Sequence, residues 1–274
     1  MIKKLKITTA EAVEIEKLKT ELLQHKIKFY QFKNFCKTCD DALIVADALL
    51  NNDYKTFKNY KLKYTTHTAQ KMKGIQSLST YKKTSSICAY LSRCGGICAK
   101  CYAEKSLKLY EGSLKPTLIY NTLLLKYIDI DLKQIPYIND KYFRFESFSD
   151  IQGSQHLKNL IQICKKNKDT IFTLWTKAGA TFSKMLKEIE INLLPNNINI
   201  VFSAFNINEK VDPQYLNVLQ ANAQSKNKIK YFIVYDSEEK RKESKYFLCK
   251  NKCIDCLKCY KKSKDNIIIA EALH

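Results

Sequence analysis

The chain of 274 residues is poor in arginine, glycine, proline and histidine, and these shortages narrow the chemistry it can perform. Three of its 47 basic residues are arginines, beside six glycines, four prolines and four histidines. It contains no glycine-rich phosphate loop, no G-x-S-x-G and no H-E-x-x-H, which excludes the commonest nucleotide-hydrolase and protease arrangements. The histidines are scattered, so the sequence indicates no histidine-based zinc site or catalytic triad.

Long apolar runs are also missing. The most apolar stretches, residues 42–50 and 198–205, are interrupted by polar side chains. Both are far shorter than the ~20 apolar residues that cross a bilayer. The first residues, Met-Ile-Lys-Lys followed by an acidic helical pattern, lack the apolar core of a signal peptide. We therefore expect a cytoplasmic protein with no membrane partner, in a compartment where thiols stay reduced.

Positive charge is abundant. The formal net charge is +20 and the isoelectric point is about 9.4. This balance predicts an anionic partner, such as a nucleic acid that contacts a lysine-rich surface. Because all but three of the basic residues are lysines, sequence-independent phosphate contacts are favoured over base reading, which prefers the planar guanidinium group.

The sequence also holds eleven cysteines, and three of them form a C-x3-C-x2-C group. Thiols clustered this tightly in a reducing compartment indicate a metal or iron–sulfur site rather than disulfides. A [4Fe–4S] cluster normally takes four thiolates, so three local ligands leave one iron open to a remote residue, water or a substrate. We predict that Cys94, Cys98 and Cys101 hold a [4Fe–4S] cluster. Cys88 could supply a fourth thiolate and close that site.

A second cysteine group lies near the end of the chain, in the pattern C-x3-C-x2-C-x2-C. Four thiolates complete either a zinc site or a second [4Fe–4S] cluster, with a structural or electron-transferring role. An alternative is that thiols from both groups close one shared site. A separate C-x2-C at Cys36 and Cys39 has no partner at the usual spacing. The predicted ligands of the second site are Cys249, Cys253, Cys256 and Cys259.

Three regions follow from the patterning: a helical accessory region at 1–70, a core at 71–240 that contains the first cysteine group, and a cysteine-rich tail at 241–274. Helices are expected at 9–28 and 40–50, and then strands alternate with helices, which predicts parallel βαβ units. The fold class is therefore α/β, a partial (β/α) barrel or open parallel sheet with an α-helical N-terminal extension. The expected core strands are 87–91, 142–148, 170–176, 198–205 and 230–235, with helices at 102–111, 116–132, 154–166, 181–191 and 213–223.

In parallel sheets, ligands bind at the carboxyl ends of the strands. The segments expected at that edge are the first cysteine group and residues 144–150, 175–177, 203–206 and 235–236. Arg144 and Glu146 alternate with phenylalanines and are predicted to share one strand face, either inside the barrel or as a solvated ion pair. Lys177 is either an anion contact or a surface lysine, and His156 is expected on a helix surface.

The C-x3-C-x2-C group, with a short strand before it and a partial barrel after it, resembles the radical S-adenosylmethionine superfamily. That resemblance implies that the open iron takes the amino and carboxylate groups of S-adenosylmethionine. The sequence departs from the pattern at Lys100, where an aromatic residue is usual, and it lacks the Gly-Gly-Glu after the second strand. The cofactor-binding candidates are Arg144 for a carboxylate, Glu146 or Asp150 for an ammonium group, and also Ser147 and Lys177.

Several segments also resemble the phage gene product 88 family of uncharacterised proteins. They are residues 73–79 (K-G-I-Q-S-L-S), 101–103 (C-Y-A), 144–150 (R-F-E-S-F-S-D), 175–177 (W-T-K) and the tail that ends in Cys-Tyr. The likeness spans about residues 70 to 262 and implies no activity of its own.

The leading hypothesis is a radical S-adenosylmethionine-type iron–sulfur enzyme that acts on a nucleic acid or nucleotide and receives electrons from a reductase. The cofactor would supply the radical, and the protein would supply orientation and water exclusion. The rival hypothesis is a non-enzymatic phage protein, stapled by zinc or iron–sulfur sites, whose lysines bind nucleic acid phosphates.

Overall fold

Seven parallel strands form the centre of the protein. The computed structural model describes residues 6–53, 55–65, 70–210, 229–250, 252–262 and 267–273. The strands are β1 Gln76–Leu78, β2 Tyr142–Phe145, β3 Ile171–Thr176, β4 Ile198–Ile207, β5 Ile229–Tyr235, β6 Phe247–Leu248 and β7 Ile267–Ala272. Their order across the sheet is β1-β2-β3-β4-β5-β7-β6, and every neighbouring pair is parallel. The predicted open parallel α/β architecture is confirmed.

Ten α-helices surround this sheet in the described segments. The first begins where Thr8 and Glu11 form a reciprocal capping box, which satisfies backbone N–H groups that have no partner inside the helix. The helices predicted at 9–28 and 154–166 are confirmed at both ends, whereas the one expected at 213–223 lies outside the described residues. The helices are α1 Thr9–Lys28, α2 Lys33–Leu50, α3 Ser86–Arg93, α4 Gly96–Ala99, α5 Tyr102–Leu109, α6 Glu111–Tyr127, α7 Ser154–Lys166, α8 Gly179–Glu188, α9 Glu238–Glu243 and α10 Cys253–Cys256.

The strand predicted at 87–91 is wrong, because those residues belong to α3. The Ser85 hydroxyl accepts a hydrogen bond from the Cys88 backbone N–H at 3.2 Å and so caps the start of this helix. The first strand is β1, only three residues long and too short to show a period in the sequence. The tail also contains two strands that the patterning did not predict, and β7 lies between β5 and β6.

The two faces of the sheet bury different groups. On one face, the rings of Phe145 and Phe172 stack 4.9 Å apart in a large apolar core. That core continues into the N-terminal helical region through residues such as Ile15 and Leu22. The other face carries a smaller apolar cluster that includes Val201 and Phe232. Among the helices of the described segments, none combines the length and hydropathy that a bilayer crossing requires.

We expect Asn159→Ala to destabilise the fold. The buried Asn159 amide donates 2.7 Å hydrogen bonds to the carbonyls of Leu125 and Ile128 and accepts one from the Ile130 N–H at 3.2 Å. Removing it leaves buried backbone groups unpaired, at a cost of about 3 kcal/mol of unfolding free energy. Urea unfolding measures this against Lys165→Ala, an exposed change on the same helix. Equal midpoints for the two variants would contradict the assignment.

Candidate functional site

The carboxyl edge of the sheet gathers polar groups from several strands. The Asp150 carboxylate accepts hydrogen bonds from the Thr176 hydroxyl at 2.5 Å, the Ile151 N–H at 2.7 Å and the Lys177 N–H at 2.8 Å. Burial raises the pKa of this carboxyl, although the hydrogen bond from Thr176 opposes the rise. A buried acidic group is therefore held in place where β3 ends.

The Lys177 side chain turns inward at the same edge. Its ammonium group donates to the Ser203 hydroxyl at 2.5 Å and to the Ala204 carbonyl at 2.9 Å. Burial lowers the pKa of Lys177, while Cys98 and Asp150 act in the opposite direction. Lys177 is consequently not a solvated surface lysine, and its positive charge lies near a thiol of the first cysteine group.

Three thiols line one cavity beside these groups. Cys88 on α3, Cys98 on α4 and Cys101 before α5 contribute to a cavity of about 820 Å³. Burial raises the pKa of Cys88 to about 12, and the Asp150 carboxylate adds to the rise. Burial also raises the pKa of Cys98, and Lys177 opposes that effect. Such buried thiols ionise readily only when a metal or another positive charge stabilises the thiolate.

Cys94 lies apart from that lining. It is exposed, and its thiol lies next to the Tyr90 hydroxyl. The cavity therefore brings Cys98 and Cys101 together with Cys88 rather than with Cys94. Within the described segments, no three or more His, Cys, Asp or Glu side chains form a group that could hold a metal ion. The ligand sets of both cysteine groups stay predictions.

Two glycines shape the loop between Cys94 and Cys98. Gly95 has φ 78° and Gly96 has φ 66°, a region that only glycine adopts without strain. A Cβ on Gly96 would lie 2.7 Å from the Phe205 carbonyl oxygen, whereas a Cβ on Gly95 would meet nothing within 4 Å. The C-x3-C loop can thus lie directly against the strand β4 only because residue 96 has no side chain.

Glu146 and Ser147 are turned into the protein. Glu146 has φ 53°, which breaks the strand alternation after Phe145, so the prediction that it shares a face with Arg144 is wrong. Its carboxylate accepts from the Thr80 hydroxyl at 3.0 Å and lies 3.4 Å from the His156 Nε2. The Ser147 hydroxyl lies 2.9 Å from that of Ser79 in a hydrogen bond that joins the ends of β1 and β2. Their cofactor roles stay predictions.

His156 is fully buried, so its expected place on a helix surface is wrong. Its Nδ1 accepts a hydrogen bond from the Gln152 N–H at 3.1 Å, which leaves the proton of a neutral ring on Nε2. That proton faces Glu146. The helix α7 begins under the carboxyl edge of the sheet, and this position buries the ring. The helical period of the sequence does not reveal that position.

Arg144 faces the tail instead of the cavity. It lies in register with Ser77 on β1 and Thr173 on β3, and Thr173 lies in register with Asn199 on β4, so a polar row crosses four strands. The guanidinium carbon lies 4.5 Å from the centre of the Trp175 ring, a cation–π arrangement. Its charge acts on Cys253, Cys259 and Tyr102.

The tail covers that polar row. The Asn199 amide donates to the Tyr260 carbonyl at 2.7 Å, and its carbonyl accepts from the buried Lys230 ammonium group at 3.1 Å. Burial lowers the pKa of Lys230 to about 8, and Cys259 opposes this. Burial raises the pKa of Cys259 to about 12, to which Cys253 adds. Cationic side chains thus lie under the tail thiols.

The charges of the tail suit a four-thiolate centre. Four thiolates around a divalent zinc ion or a [4Fe–4S] core carry a net negative charge. Three cations act electrostatically on these thiols, namely Lys71, Arg144 and Lys230. Lys71 also forms an ion pair with Glu271. Sequence reasoning missed Lys71 and Lys230. For Lys230 the available signal was a lysine inside an otherwise apolar strand, because such a residue needs a buried partner, whereas Lys71, in the short helix Gln70–Met72, gave no such signal.

The family model of Gene product 88 matches residues 48–269. The chain belongs to this family. The gene product 88 match includes both cysteine groups and six complete strands of the sheet, and it confirms the resemblance found in the sequence motifs. No curated protein and no solved structure matches the chain.

The two glycines of the C-x3-C loop differ in how closely they approach β4. We expect Gly96→Ala to destabilise the protein more than Gly95→Ala. Both changes place a side chain at positive φ, at about 1–2 kcal/mol each, but only the first also drives a Cβ into the Phe205 carbonyl. Urea unfolding of both variants measures the difference. A larger loss for Gly95→Ala would show that the loop does not lie against β4.

Proposed function

We propose that this gene product 88 protein is an iron–sulfur enzyme of the radical S-adenosylmethionine type that acts on an anionic substrate. Cys94, Cys98 and Cys101 are the proposed ligands of a [4Fe–4S] cluster. The observation that carries the proposal is that thiols of this group line a cavity at the carboxyl edge of a parallel sheet. Parallel sheets bind their ligands at that edge.

The order of the strands and of the first cysteine group along the chain supports the same proposal. The first cysteine group follows β1, and strands β1 to β5 then lie side by side in the order in which they occur in the sequence. This is the arrangement that the resemblance implies for a partial barrel. A donor set of thiolates also suits iron–sulfur chemistry, and Lys177 next to Cys98 offsets part of the negative charge that such a cluster brings.

The cofactor contacts are assigned to two groups beside the thiols. The Asp150 carboxylate suits the ammonium group of S-adenosylmethionine, and the Lys177 ammonium group suits its carboxylate. Arg144 is not given this role, because it faces the tail thiols. A cluster held by these thiols and reduced by an external electron donor would supply the electron for reductive cleavage of S-adenosylmethionine, and Asp150 and Lys177 would hold the cofactor in place for it.

Anaerobic reconstitution with iron and sulfide, followed by dithionite and S-adenosylmethionine, tests the proposal. We expect the wild type to release 5′-deoxyadenosine and Cys98→Ala to lose both the release and most of the bound iron. Cys164→Ala is the matched control, since this buried thiol packs in the apolar core away from the cavity. Iron-loaded wild type that releases no 5′-deoxyadenosine would contradict the enzyme assignment.

The role of Cys88 distinguishes the proposed enzyme from a rival, structural function. The rival function is a non-enzymatic nucleic-acid-binding protein whose fold is stabilised by zinc or an iron–sulfur cluster. The observation that favours it is that Cys88 also lines the cavity. A fourth thiolate would occupy the position that S-adenosylmethionine needs. We expect Cys88→Ala to retain iron and to release 5′-deoxyadenosine. Loss of the cluster in this variant would favour the structural role.

The tail is proposed to hold a second [4Fe–4S] cluster or a zinc ion, bound by Cys249, Cys253, Cys256 and Cys259. We expect Lys230→Met to loosen that metal about tenfold, because the buried charge beside Cys259 is removed. Competition with a chelator measures the loss. The control is Lys252→Met, an exposed lysine next to Cys253. Equal retention in both variants would show that Lys230 does not stabilise the centre.

A further inference from the structure

The rim of the thiol cavity carries an unusual concentration of positive charge. Six cationic side chains line it, against a single carboxylate, Glu104, which is already paired with Lys82 at 2.6 Å. Four of the six form no ion pair in the described segments, namely Arg93, Lys100, Lys105 and Lys108. The six are Lys82, Lys83, Arg93, Lys100, Lys105 and Lys108.

Three exposed tyrosines lie close in the sequence to these cations and to other residues that line the cavity. Tyr90 on α3 is 61% exposed and lies one turn before Arg93. Tyr102 on α5 is 60% exposed and lies one turn before Lys105, and its hydroxyl donates a hydrogen bond to the Ser147 carbonyl. Tyr110, which follows α5, is 62% exposed. Residues three apart on a helix share a face, so each helix presents an aromatic ring and a cation side by side.

Exposed rings grouped beside a basic cavity are typical of a ligand-binding surface. Phosphate groups of a bound strand would pair with the lysines, and its unpaired bases would stack on the tyrosine rings. Stacking on a ring requires a base that is not already stacked inside a duplex. A shortage of arginine suits contact with any sequence. An acidic peptide would pair with the lysines but leave the exposed ring faces uncovered.

We infer that the rim between α3 and α5 binds single-stranded nucleic acid and presents it to the thiol cavity. The inference rests on the proposed function, because it names the class of that enzyme's anionic substrate. The strand's phosphates contact Lys105 and Lys108, and one base stacks on Tyr102, which shares a face of α5 with Lys105. Duplex DNA meets the same charges but offers no free base.

Fluorescence anisotropy of the full chain tests this with labelled single strands of about 15 nucleotides, as DNA and as RNA, and with the corresponding duplex. We expect the single strands to bind at least tenfold more tightly than the duplex, and excess polyglutamate to compete poorly. Equal affinity for single strand and duplex, displacement by polyglutamate at matched charge, or no binding at all would overturn the inference.

Two pairs of variants locate the site. Lys105→Ala/Lys108→Ala should weaken single-strand binding about tenfold and reduce the slope of the salt dependence by about 0.7 for each phosphate that the variant no longer neutralises. Its control, Lys165→Ala/Lys168→Ala, has the same spacing and exposure but lies before β3, at the opposite edge of the sheet. Tyr102→Leu should weaken binding several-fold, whereas Tyr102→Phe, which keeps the ring and loses the same hydroxyl hydrogen bond, should not. Equal effects within either pair would overturn the inference.

The failures of the two proposals can be told apart. Oligonucleotide binding by the wild type requires no cofactor turnover, and release of 5′-deoxyadenosine requires no oligonucleotide. Release without binding would reject only the nucleic-acid inference. Binding without release would reject the enzyme assignment and leave a nucleic-acid-binding protein.

Discussion

Parallel pairing of strands is the constraint on which the rest of the structure depends. Because each strand must run in the same direction as its neighbour, the segment that follows each one arrives at the same edge of the sheet. That geometry brings together groups from distant parts of the chain: the cysteines after β1, Asp150 after β2, Lys177 after β3 and Ser203 on β4. The site is a product of topology, and no short motif contains it.

Buried charge links the two cysteine groups. Thiols held away from water resist ionisation, so burial raises the pKa of Cys88 at the cavity and of Cys259 in the tail. Each group has a cation beside it, Lys177 at the cavity and Lys230 under the tail. The arrangement suits centres whose bound state carries net negative charge. Arg144 acts on both Tyr102 and the tail thiols, so the two regions share one electrostatic environment.

The parts of this architecture that depend on local pattern could be predicted from the sequence. Apolar runs identified β2 to β5, and the alternation of strands and helices identified the parallel sheet and the edge where ligands collect. The short strand β1 could not be found, since three residues show no period, and its neighbour α3 was mistaken for a strand. Glu146 was misplaced because a single positive φ reverses the side-chain direction. The burial of His156 and Lys230 depends on tertiary packing, which no local pattern records.

Metal analysis of anaerobically purified protein tests the central claim most directly, namely that the thiols at the sheet edge hold an iron–sulfur centre. The account predicts a brown protein with absorption near ~400 nm and about four iron and four sulfide per chain for the first site, or about eight of each if the tail also holds a [4Fe–4S] cluster. Colourless protein that contains zinc and no iron would contradict it.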